Sequence, residues 1–215
     1  MKRFTLAAAL CISLAGCQTA YYSAMEKVGV HKREILVDRV EATKESQQES
    51  QEEFQSALER LTTLINFDGG ELQSAYEQLN DDYESSLSAA NDVSGNINKV
   101  EDVAEALFSE WEDELTQYSS AALKRESEKK LKQTQRQFNK LLRSMRSSED
   151  KMQPVLSSLK DNVLYLKHNL NAQAIAAIRG EFKSLKSDIQ SLIDDMNRSI
   201  ADSNKFIEQM NASST

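Results

Sequence analysis

Proline occurs once in 215 residues, glycine six times, and aromatic side chains make up only 7% of the chain. A β-sandwich or barrel needs a turn signal about every 8–12 residues, so this poverty of turn formers excludes one. Catalytic signatures are missing too. No GxxxxGK[S/T] or GxGxxG phosphate loop occurs, and no serine has the context of a nucleophile elbow. The two histidines, His31 and His168, stand far apart. Val28 and Tyr165 precede them by three, which excludes the Glu-x-x-His pattern of a di-iron bundle. Each histidine therefore reads as an exposed or capping helix residue. We expect no catalytic, cofactor-binding or metal site, no small-molecule substrate and no enzyme activity.

Both cysteines, Cys11 and Cys17, lie in the first 17 residues. Met1-Lys2-Arg3 is basic, Phe4 to Leu14 is an apolar run of about 11 residues, and Ala15-Gly16 is small, the order of a secretory signal peptide. The run is too short to span a bilayer, which takes about 20 apolar residues. Leu14-Ala15-Gly16-Cys17 resembles the lipobox of bacterial lipoproteins. That resemblance implies cleavage before Cys17, acylation of its sulfur with diacylglycerol, and usually a third chain (palmitate) on the new amine. Three acyl chains, at about 0.8 kcal/mol per buried methylene, exceed the two-signal threshold for stable anchoring. By resemblance to the sorting rule of Gram-negative lipoproteins, Gln18 in place of Asp implies export to the outer membrane, facing the periplasm. The rival readings are weaker. A Cys11–Cys17 disulfide would close a loop inside a discarded segment, and a two-cysteine metal pair lacks its other ligands.

The rest is rich in Ala, Leu, Glu, Lys, Gln and Ser, a composition for long helices. Every seventh residue from Leu72 gives Leu79, Ser86, Val93, Val100, Leu107 and Glu114. The offset row is Tyr76, Tyr83, Ala90, Ile97, Ala104, Trp111 and Tyr118. Only Ser86 and Glu114 break this apolar seam, which is a coiled-coil period. A second register runs Leu131, Phe138, Met145, Met152, Leu159, Leu166, beside Thr134, Leu141, Ser148, Val155, Asn162 and Asn169. A third runs Ile178, Leu185, Leu192, Ser199, Phe206, beside Phe182, Ile189, Met196, Ser203 and Met210. The first segment is less regular, with Ile35, Leu36 and Val40, a polar gap, then Phe54, Leu58, Leu61, Leu64 and Ile65. Aromatic and methionine positions fall in the seams, so core packing is expected of them rather than a cofactor site.

Breaks at Phe67-Asp68-Gly69-Gly70, Tyr118-Ser119-Ser120-Ala121 and His168-Asn169-Leu170-Asn171 divide the chain into helices near 21–66, 71–118, 121–168 and 173–211. Similar lengths and short connections predict an all-α fold, an elongated antiparallel four-helix bundle of coiled-coil character. Pro154 sits mid-stripe and is expected to kink its helix or mark a restart. The domain reading is a signal peptide at 1–16, then a tether with a short amphipathic helix at 17–30. The bundle follows at 31–211 and a frayed tail at 212–215. In the tether, Tyr21, Tyr22, Met25 and Val28 share a side suited to the membrane interface, with Gly29 as the bend.

The net charge is −8, unevenly distributed. Residues 124–146 carry Lys124, Arg125, Lys129, Lys130, Lys132, Arg136, Lys140, Arg143 and Arg146 against two acids. Residues 101–114 carry Glu101, Asp102, Glu105, Glu110, Glu112, Asp113 and Glu114 with no base. Folding back near residue 120 sets the runs side by side, so pairing within the chain is expected before an anionic envelope ligand, and nucleic acid last. Glu41, Glu45, Glu49 and Glu53 repel one another at i,i+4 spacing, and residues 140–151 are expected to relieve them.

The stretches "YYSAMEKVGVHKREILVDRV" (21–40) and "MQPVLSSLKDNVLYLKHNLNAQAIAAI" (152–178) resemble a family of Gram-negative coiled-coil envelope lipoproteins known only as a domain of unknown function. The resemblance covers most of the chain beyond the signal peptide and supplies no catalytic residues. The expectation is a non-enzymatic, periplasm-facing lipoprotein held to the outer membrane through Cys17. It would act as a structural or interaction coiled-coil module, with a protein partner or a second copy as its contact. The alternatives are a binding module for an envelope ligand or partner helix through the end from Val163 to Ile178, or a DNA-associated coiled coil.

Overall fold

The structure, a computed structural model, describes residues 22, 25, 29–66 and 71–212. Four long helices follow in chain order: α1 (Lys32–Ile65), α2 (Leu72–Leu115), α3 (Ala121–His168) and α4 (Ala172–Ala212). Neighbours are α1–α2, α2–α3, α3–α4 and α4–α1, an antiparallel four-helix bundle with α1 and α3 across one diagonal and α2 and α4 across the other. At 1.5 Å per residue the longest helix measures about 70 Å.

The seams read from the sequence are the buried stripes. In α3, Leu131, Phe138, Met145, Met152, Leu159 and Leu166 are all buried. In α4 the same holds for Ile178, Leu185, Ile189, Leu192, Met196, Phe206 and Met210. The α2 seam is buried from Leu79 to Ala104 except at half-buried Tyr83, and it opens towards its ends, where Tyr118 is exposed. Phe108, which lies outside those rows, joins Phe138 and Phe206 in a chain of edge-to-face rings linking α2, α3 and α4, with centroids 5.5 and 6.1 Å apart.

The polar gap of the first segment is not a gap in the packing. Leu36, Val40, Thr43, Gln47, Ser50, Phe54, Ala57, Leu61 and Leu64 alternate steps of four and three, and all are buried. The register is as regular as in the other helices, but small and amide side chains occupy its middle. Gln47 reaches across the core and donates to Ser148 Oγ of α3 at 2.9 Å. Ser148 in turn donates to the Met145 carbonyl at 2.7 Å. Gln47 Oε1, Ser50 Oγ and Ser199 Oγ are buried with no hydrogen-bond partner among the described residues. Asp195, only 5% exposed, completes this level, paired with Lys151 of α3 and with Arg198 one turn along α4.

Several boundaries differ from those expected. The first helix starts at Lys32 rather than near residue 21. Gly29 adopts φ +85°, and the Val30 N–H donates to the Met25 carbonyl at 3.0 Å, the 6→1 bond that closes a helix end. α2 stops at Leu115, and Ser120 accepts from the Leu123 N–H at the start of α3. Asn171 Oδ1 accepts from the N–H groups of Gln173 and Ala174, at 2.9 and 3.1 Å, and so starts α4. Ala212, assigned above to the tail, is the last residue of α4. The turn at 67–70 lies outside the described residues.

Pro154 does not restart a helix, because α3 runs through it unbroken. It is exposed rather than mid-stripe, and so is Asp150, whose carbonyl loses its helical donor. That carbonyl lies on the solvent side, where water replaces the bond.

Gly95 and Gly180 lie inside helices, and a Cβ at either meets nothing within 4 Å. Gly95→Ala and Gly180→Ala should each raise stability by about 0.5–1 kcal/mol in chemical denaturation. Gln47→Leu should leave stability unchanged or raise it, because Ser148 keeps its bond to Met145. Gln47→Ala should cost about 1–3 kcal/mol through the lost bond and the space left behind.

Candidate functional site

One end of the bundle gathers the start of α1, the end of α2, the start of α3 and the end of α4. Lys32 of α1 pairs with Glu110 of α2 at 2.9 Å, and the Tyr22 ring lies 6.0 Å from the same ammonium. Tyr22 is buried, beside Ala106, Ser109, Glu110, Asp113, Glu114 and Gln117 of α2. Tyr22 was read above as part of a face at the membrane interface, and its burial against α2 differs from that. Tyr22 is committed to the bundle, while Tyr21 and Val28 lie outside the described residues. Cys17 and Gln18 lie outside them too.

Arg33, the next residue of α1, donates to the Met210 carbonyl at 2.5 Å. At the opposite end Arg179 Nε donates to the Ile65 carbonyl at 3.1 Å. Neither α1 nor α4 has a basic residue in its own last turn, so an arginine from a packed neighbour supplies donors to the free carbonyls of each. Burial pushes the Arg33 guanidinium below its ordinary pKa, and its Nε has no partner among the described residues.

A cleft of about 780 Å³ opens beside Arg33, where the α2–α3 hairpin extends past the neighbouring helix ends. Trp111, Tyr118, Leu123, Lys130, Gln137 and Gln209 are among its walls, and the Trp111 indole N–H donates to Ser127 Oγ at 2.8 Å. Leu123 is 61% exposed there. At the far end Leu164, Tyr165 and Leu170 are exposed, beside a cleft of about 360 Å³ between α3 and α4. Val163 and Ile178, which bound the proposed binding end, are buried in the core.

The charge runs lie alongside one another, but they pair far less than expected. Of the nine basic residues at 124–146, only Arg146 reaches the acidic run of α2, bonding Glu101 at 2.6 Å and Asn98 at 2.8 Å. It also holds Glu149 at 2.7 Å. Partial burial pulls the Arg146 guanidinium down. Its hydrogen bonds and attraction to Glu149 and Glu101 outweigh that and leave it above its ordinary pKa. Lys140 pairs instead with Asp202 of α4 at 2.6 Å. Lys124, Arg125, Lys129, Lys130, Lys132, Arg136 and Arg143 have no ion pair among the described residues. The acidic row of α1 is also misplaced by the expectation above. α3 lies diagonally across from α1, so residues 140–151 do not relieve it, and Glu41 pairs with Lys44 of its own helix.

His31 precedes α1 and His168 ends α3, both exposed, at opposite ends of the bundle. Among the described residues no group of three or more His, Cys, Asp or Glu side chains is placed to hold a metal. No helix among them is long and apolar enough to cross a membrane. Sequence reasoning missed the buried Asp195, whose neighbour Met196 holds the seam position. The partner that makes its burial possible, Lys151, comes from another helix.

Residues 21–210 match the family described as "Protein of unknown function (DUF2959)". No curated protein and no solved structure matches the chain.

If the Tyr22 contact organises this end, Tyr22→Ala should raise hydrogen exchange of the Val30 amide about tenfold or more. Amides in the middle of α3 should be unchanged. Equal exchange at Val30 in both proteins would show that the 22–30 segment is held by other contacts.

Proposed function

Because the chain belongs to the family described as "Protein of unknown function (DUF2959)", whose description names no role, we propose a function from its own residues. It is a non-enzymatic lipoprotein of the outer membrane, lipidated on Cys17. It presents its four-helix bundle to the periplasm as a structural or interaction module.

The observation that carries this reading is the order basic, apolar, small, cysteine over Met1–Cys17, followed within five residues by Tyr22, which is buried in the bundle. Five residues span at most about 18 Å. The tether is therefore short, and a lipidated Cys17 would hold the end that carries Lys32, Glu110 and the α2–α3 turn close to the bilayer. The non-enzymatic part rests on the missing catalytic motifs and on the use of the bundle interior for packing. The polar side chains buried in it, among the described residues, are two amides (Gln47 and Asn162), several hydroxyls and Asp195 with its ion pair.

Labelled palmitate should enter the wild-type protein and not Cys17→Ser, and Cys17→Ser should leave the membrane fraction. Label in both proteins, or in neither, would overturn the reading. Gln18→Asp should move the labelled protein from the outer to the inner membrane on a density gradient.

A further inference from the structure

The contact between α3 and α4 changes character along its length. Lys140 of α3 bonds Asp202 of α4 across it at 2.6 Å. Three heptads further towards the α3–α4 turn, the corresponding positions hold Asp161 and Glu181, so like charges replace opposite ones. Both carboxylates are exposed and line the cleft of about 360 Å³ between the two helices. Neither forms an ion pair among the described residues. Asn162, only 6% exposed, lines the same cleft. Its Nδ2 donates to the Ser158 carbonyl at 2.7 Å, while its Oδ1 accepts no bond among the described residues. Tyr165, Ala177 and Ile178 complete the lining, which contains no lysine, arginine or histidine. Lys160, Lys167 and Lys183, close by in sequence, lie outside that lining.

We propose that this cleft receives the side chain of a lysine from a partner protein. An ammonium group offers three donors and accepts nothing in return. The cleft answers with acceptors on three side chains, the carboxylates of Asp161 and Glu181 and the free amide oxygen of Asn162. A lysine stem is apolar, and Tyr165, Ala177 and Ile178 give it apolar walls. The Tyr165 ring also favours a cation near its face. An anion would meet two like charges here and no positive one.

Exposed ion pairs are individually weak, so the ammonium alone does not hold a partner. The remaining affinity comes from Leu164, Tyr165 and Leu170, large hydrophobic side chains left in water at this end of the bundle. A free amine would leave them there, whereas apolar residues flanking the lysine in a chain would cover them. The α3–α4 turn stands at the end opposite Tyr22, away from the anchor proposed above, which disfavours the amine of a membrane lipid. The choice of a protein partner therefore rests on the reading as an anchored interaction module. The chemistry of the cleft does not.

The test uses the full-length protein and its Cys17→Ser variant, with palmitate content measured on both samples. The probe is a Leu-Ala-Lys-Ala-Leu peptide, amidated at its C-terminus and carrying fluorescein on its N-terminus, so that the lysine holds its one amine. Fluorescence anisotropy should show saturable binding of equal strength in both proteins, so a failure of the anchor leaves the measurement intact. Acetylating the peptide lysine should weaken binding tenfold or more, and so should Asp161→Asn/Glu181→Gln. That double variant removes a like-charge juxtaposition and should melt no lower than the wild type, which separates lost binding from unfolding. Leu164→Ser/Leu170→Ser should weaken binding several-fold. Carbodiimide should join the peptide lysine to Asp161 or Glu181, read by mass spectrometry. Binding that fails to saturate at millimolar concentration would overturn the proposal. So would equal binding of the acetylated peptide, equal binding by the double variant, or cross-links spread over the acidic residues of α2. Displacement of the peptide by phosphatidylethanolamine vesicles or by unlabelled protein would assign the cleft to a lipid or to a second copy instead.

Discussion

Each of the four helices carries only a narrow stripe that must leave water, and that constraint organises everything else. A stripe two side chains wide per heptad cannot be covered by its own helix, and an isolated helix of this composition gains little from propensity alone. Four such stripes turned inward cover one another, and the short connections make the neighbours antiparallel. The core is consequently one side chain deep over most of its length, so every position on the seam matters. Most of the polar ones are buried, including Thr43, Gln47, Ser50, Ser148, Ser199 and Ser203.

Those polar positions weaken the core in exchange for a defined arrangement. A seam of leucines alone would pack in several registers. The Gln47 amide finds the Ser148 hydroxyl only when α1 and α3 face each other at one height, and Asp195 meets Lys151 only when α3 and α4 do. Sliding α1 or α3 by one turn would separate the Gln47 amide from Ser148, and sliding α3 or α4 would leave Asp195 with only Arg198 of its own helix. On the outer surface α1 and α2 are aligned in the same manner, by Arg60 with Asp82 and Gln78.

Charge on the surface follows a different logic from charge in the core. The basic and acidic runs are large enough to have neutralised each other, yet one direct ion pair joins them. Their side chains occupy the outward positions of helices whose inward positions are apolar, and across the α2–α3 contact only Glu101 meets a basic residue while Glu112 meets the Gln135 amide. Pairing within the chain was expected from the sum of the charges, but the direction of each side chain around its helix decides which charges can meet. The acidic row of α1 failed its expected partner for the same reason, because the diagonal separates it from α3.

The sequence by itself determined the helical class, the four segments, the seams of α2, α3 and α4, and the antiparallel order. All of these follow from a heptad period and a few breakers, which are local signals. The order basic, apolar, small, cysteine that motivates the reading of Cys17 is equally local. Tertiary structure alone decided that the polar middle of α1 is seam, because hydropathy cannot tell a buried serine from an exposed one until a neighbour covers it. It decided that Tyr22 packs on α2, that Arg33 and Arg179 cap helices other than their own, and that Pro154 sits harmlessly in water. Each of those depends on which face of one helix meets which face of another. A periodic pattern says that a face exists, and only the assembled bundle says what lies against it.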